Sequence, residues 1–134
     1  MASFLTPEWL EQLSAAAAEA GDEVAQATAD VELTVEQVVT GGPDGDVRWR
    51  VRLDRGRLAA GPSRPGDPPA DVVLVEDYET AMAVHQGEVA PSAAMAAGRL
   101  RVGGRVGLLA EHRQVLALVA RRLAAGGGDG AGGR

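Results

Sequence analysis

Apolar and polar positions change their spacing several times along this chain, and each change marks an element. In the first stretch Trp9, Leu10, Leu13, Ala16, Ala17 and Ala20 recur at intervals of three and four, which predicts an amphipathic helix. Thr6, Pro7 and Glu8 supply an N-cap, a first-turn proline and a first-turn acid, and Gly21 ends the helix. From Val31 the period falls to two. Val31, Leu33, Val35 and Val39 share one phase, and Glu32, Thr34 and Glu36 the other. After a turn cluster over residues 40–46, Val47, Trp49, Val51 and Leu53 alternate with Arg48, Arg50, Arg52 and Asp54. The two runs predict a hairpin with one wet face, and residues 57–61 a short third strand.

A proline-rich loop over residues 61–69 separates this meander from the rest. The run from Asp71 to Glu76 is continuously apolar between its acids, as in a strand covered on both faces. Asp77 caps a helix bearing Tyr78, Ala81, Met82 and His85. Pro91 opens a second short helix, and Leu100 to Val102 reads as an edge strand. A last helix is predicted over residues 106–124, with Leu109, Leu116, Val119 and Leu123 on its apolar face. The order predicts an α+β fold: a five-stranded mixed sheet with helices packed over one face. Residues 1–125 form one domain, and the glycine-rich residues 126–134 are expected to be a disordered tail.

Composition narrows the function. Aromatic residues make up 3% of the chain and apolar residues 46%, so the core is aliphatic and platforms for stacking bases are few. The net charge of -6 argues against a nucleic-acid partner. There is no cysteine, which removes disulfides and thiolate zinc sites. No basic leader or long apolar run is visible, so a cytoplasmic location with at most transient membrane contact is expected.

Candidate chemistry is sparse. His85 and His112 are the sole imidazoles, and neither has a metal-ligand spacing around it. No serine sits in a Gly-x-Ser-x-Gly elbow, and the glycines between Gly98 and Gly107 lack the lysine of a phosphate loop. No catalytic residue, metal or cofactor is therefore predicted. The Arg48, Arg50, Arg52 row could bind an anionic headgroup or a phosphate, but is expected to pair with Glu32 and Glu36 across the hairpin. Met82 and Met95 suit either an irregular core or an adaptable pocket.

From Asp71 to Leu116 the sequence resembles the sterol carrier protein type 2 family. Asp71, Leu74, Asp77-Tyr78 and Met82 carry the likeness, with the spaced run Gly87, Pro91, Ala94, Gly98 and then Arg99-Leu-Arg-Val102-x-Gly104. The family's usual bulky pair after Ala94 is here Met95-Ala96. The resemblance implies a hydrophobic tunnel between sheet and helices that takes a fatty acid, fatty acyl-coenzyme A or sterol-like lipid without chemistry. Met82, Met95, Leu109 and Leu116 are the lining residues it implies, in a monomer or homodimer. The rival readings are a ligand-free dimerisation or accessory domain serving a partner enzyme, and an acyl- or steroid-directed enzyme using His85 or Asp77 as base.

Overall fold

The computed structural model describes residues 4–126, with side chains described as far as Leu123. Of the expected disordered tail over residues 126–134, residues 127–134 lie outside the described residues, and Gly126 ends the last helix. Helix α1 (Pro7–Ala18) is capped by the Thr6 hydroxyl, which accepts from the Trp9 amide, and turns Trp9, Leu10, Leu13, Ala16 and Ala17 inward. A six-residue helix α2 (Asp22–Ala27), not predicted, follows and buries Val24 completely.

The alternating runs form β1 (Glu32–Gly42) and β2 (Gly45–Asp54), joined through Pro43-Asp44, with Gly45 at a φ of 105° that a side chain rarely adopts. β3 (Arg57–Pro62) completes the meander. β4 (Val72–Asp77) then returns parallel to β1, and β5 (Leu100–Gly104) pairs antiparallel with β4 at the edge. The sheet order is β3-β2-β1-β4-β5. This is the mixed five-stranded α+β sheet that the sequence pattern implied.

Helix α3 (Tyr78–His85) and helix α4 (Pro91–Ala96) lie between β4 and β5 in the chain. The predicted last helix is two: α5 (Gly107–Glu111) and α6 (Arg113–Gly126), interrupted at His112, whose φ of -109° and ψ of 25° leave the helical range. α6 docks chiefly on α1, with lesser contact to α2 and α5, and sends Val119 and Leu123 into the core.

Register assigns the faces. Leu33, Val35, Gln37 and Val39 of β1 stand beside Leu53, Val51, Trp49 and Val47 of β2 on the inner side. Leu33, Val39 and Leu53 are the best buried of these, as is Val72 of β4 beside Val35. The outer side carries Thr34, Glu36 and the arginine row.

Asp77 is the N-cap of α3, its Oδ1 accepting from the Thr80 amide at 2.7 Å. That bond and the Thr80 side chain hold the carboxyl below the ordinary carboxylate range. A depressed acid contributes stability above its unfolded value, and the contribution disappears as pH falls through the folded one. Asp77→Ala is expected to cost about 1 kcal/mol at neutral pH, and less near pH 2, in urea unfolding.

Candidate functional site

Two surfaces compete as the site. The outer face is polar and internally satisfied. Arg50 Nη2 lies 2.8 Å from Glu36 Oε1, and Arg48 Nη1 lies 3.4 Å from Glu36 Oε2. Arg52 donates to Thr34 Oγ1 at 2.6 Å and approaches Glu32 at 3.7 Å. The expected cross-strand pairing is present. The proline-rich loop folds over this row, bringing Asp67 to 3.8 Å from Arg50. Asp71 anchors the loop's far end, its Oδ2 accepting from the Thr34 amide at 2.8 Å.

Between loop and sheet runs an open cleft of about 610 Å³. Glu32, Asp67 and Asp71 balance Arg50, Arg52 and Arg105 along its walls. Every one of these arginines already faces a carboxylate. The cleft therefore offers little unspent charge to an anion. A second cleft of about 360 Å³ lies between α1, α2 and the start of β3, lined by small residues such as Ala17, Ala20 and Gly21. No candidate lining residue borders either cleft.

The inner face is different. Strands β4 and β5, against which α3 and α4 pack, present Leu74 and Val102, both half-buried. Leu108, Leu109, Val115, Leu116 and Leu118 pack against the margin of the core and stay half-buried too. Met82 on α3 is half-buried. Met95 is 38% exposed, because α4 directs Ala94 inward instead, at 1%. Of the four residues, the structure thus gathers Leu109 and Leu116 against the core, leaves Met82 at the boundary and turns Met95 outward.

The histidines have other surroundings. His85 stacks on Phe4 at a centroid distance of 4.1 Å. His112 caps α5, its Nε2 3.6 Å from Glu111. Among the described residues no three His, Cys, Asp or Glu side chains cluster as metal ligands. No described helix is long and apolar enough to cross a membrane.

Two features of the inner face were not read from the sequence. All four aromatic residues join in one chain of ring contacts: Phe4 meets Trp9, Tyr78 and His85, and Trp9 stands edge-on to Trp49 at 5.5 Å. Glu76 is the second. It is 8% exposed and pairs in register with Val39 and Leu100, so an acid stands on the apolar side. The signal was its phase, two positions after Leu74 and four after Val72.

Comparison with known proteins agrees with this architecture. The model of the SCP-2 sterol transfer family matches residues 10–117. No curated protein matches the sequence. A conserved hypothetical protein of Thermus thermophilus, described as possibly a sterol carrier protein, has a TM-score of 0.69 and 21% identity, with 90% of this chain and 87% of that one covered. A sterol carrier protein 2 crystal structure has a TM-score of 0.67 and 21% identity, covering 90% and 97%. Palmitated SCP2L2 of Aedes aegypti has a TM-score of 0.59 and 16% identity, covering 86% and 95%. At these identities the solved structures speak for the fold.

Proposed function

Because this chain belongs to the SCP-2 sterol transfer family, we propose that it carries an apolar ligand, a fatty acid, fatty acyl-coenzyme A or sterol-like lipid, without transforming it. The supporting observation is the loosely covered inner face. α6 docks mainly on α1, while the aliphatic side chains of β4, β5, α5 and the start of α6 stay half-buried at the margin of the core. A tightly closed core of this size would bury them fully. In this reading Leu109 and Leu116 line the ligand, Met82 flanks it, and Met95 stands at the rim.

The magnitudes fit reversible carriage. Burying about 16 methylenes is worth roughly 12 kcal/mol gross, and association costs of about 4–15 kcal/mol remove most of it, leaving micromolar binding.

The test reads ligand and stability separately. Material extracted from the purified protein is expected to contain a lipid by mass spectrometry. Leu116→Trp should weaken a fluorescent fatty acid at least tenfold, about 1.4 kcal/mol, because the indole fills ligand space. Its urea midpoint without ligand should move little, whereas forcing a larger side chain into a packed core costs about 1–3 kcal/mol. A destabilised variant with unchanged affinity would place Leu116 in true core. No extracted lipid, no binding and a stable dimer would instead support an accessory domain beside a partner enzyme.

A further inference from the structure

Three polar side chains interrupt the aliphatic inner face, all within two neighbouring rows of the sheet. In one row Gln37 stands between Trp49 of β2 and Leu74 of β4, and in the next Glu76 stands between Val39 and Leu100. Gln37 and Glu76 are therefore diagonal neighbours on adjacent strands. Glu76 Oε1 and the Trp49 indole nitrogen are buried with no hydrogen-bond partner among the described residues. A buried polar atom without a partner is costly, and a leucine at position 76 would continue the pattern of Val72 and Leu74 at lower cost. The chain nevertheless keeps a carboxyl there. Burial, with the neighbouring Asp77 carboxylate, holds Glu76 above the ordinary carboxylate range.

What such a group can recognise follows from its hydrogen-bonding capacity. A ligand hydroxyl donates to a carboxyl oxygen and still accepts from an amide or indole N–H. A ligand carboxylate has no hydrogen to donate and would set its own negative charge in a poorly solvated site beside the Asp77 carboxylate. We propose that Glu76, with Gln37 and the Trp49 indole, is the polar pole of the ligand site, selecting apolar ligands that end in a neutral hydroxyl over those that end in a carboxylate. The inference rests on the carriage reading and narrows its ligand class.

A matched pair of probes separates the two ideas: cis-parinaryl alcohol and cis-parinaric acid share one fluorescent chain and differ at the end group. The full chain at pH 7.5 is expected to bind the alcohol at least tenfold more tightly. Glu76→Gln keeps the shape and replaces the acid by an amide that can donate to a carboxylate, so it should narrow the gap to about threefold or less, mainly through tighter binding of the acid. Its urea midpoint should stay level or rise, which shows that the variant folds. Glu76→Leu should weaken the alcohol while sparing the acid. Equal binding of both probes, unmoved by Glu76→Gln, overturns this inference and leaves lipid carriage standing. Failure of the unaltered protein to bind either probe overturns carriage, and the inference with it.

Discussion

Gly104→Ala is expected to lower stability by about 2–5 kcal/mol, the sum of a left-handed backbone penalty and an overpacking penalty. Gly104 has a φ of 80°, where a Cβ meets its own backbone. The added carbon would also lie 2.5 Å from the Asp71 carbonyl oxygen, far inside contact distance, and that neighbour is backbone. The same carbonyl accepts from the Arg105 amide at 2.8 Å, so moving it loosens the end of the β4–β5 ladder. Urea unfolding followed by far-UV circular dichroism measures the loss. Gly103→Ala is the control, since a Cβ there meets nothing within 4 Å. Equal effects of the two substitutions would refute the steric account.

Arg50→Met should cost about 2–3 kcal/mol, because it leaves a buried carboxylate with an inferior partner. Glu36 is 8% exposed and Arg50 is its close partner. Arg48 remains at 3.4 Å, but its side chain is 63% exposed and its charge is well screened. The double substitution Arg50→Met with Glu36→Leu should recover most of the loss, since apolar replacements for a buried pair are often neutral. Arg52→Met, whose ion partners are exposed, should cost under about 1 kcal/mol. A double variant no better than the single would show that the arginine stem, rather than the charge, holds this face.

The strands were legible because alternation fixes both period and phase. Val47, Trp49, Val51 and Leu53 against Arg48, Arg50 and Arg52 leave one way to place the hairpin over a core. Asp77 and Pro91 announced the helices they open. The short helices were harder. α2 has six residues and no side-chain cap bond, so neither period nor cap signalled it. α4 has six as well, too few turns for spacing to decide whether Ala94 or Met95 points inward. The interruption at His112 carries no glycine or proline, so the run from Leu108 to Leu123 reads as one helix. The aromatic cluster depends on residues from three distant segments, which no local window joins.

That cluster also determines what light can report about this molecule. Both tryptophans and the single tyrosine belong to it, so intrinsic emission originates from one end of the inner face. The indole of Trp9 meets Trp49 edge-on, and Trp49 shares its row with Gln37, the diagonal neighbour of Glu76. A chain carrying no chromophore elsewhere gives an emission spectrum without a background from distant regions. Changes in its colour or intensity during a titration are local by construction, and the unmodified protein serves as its own optical probe.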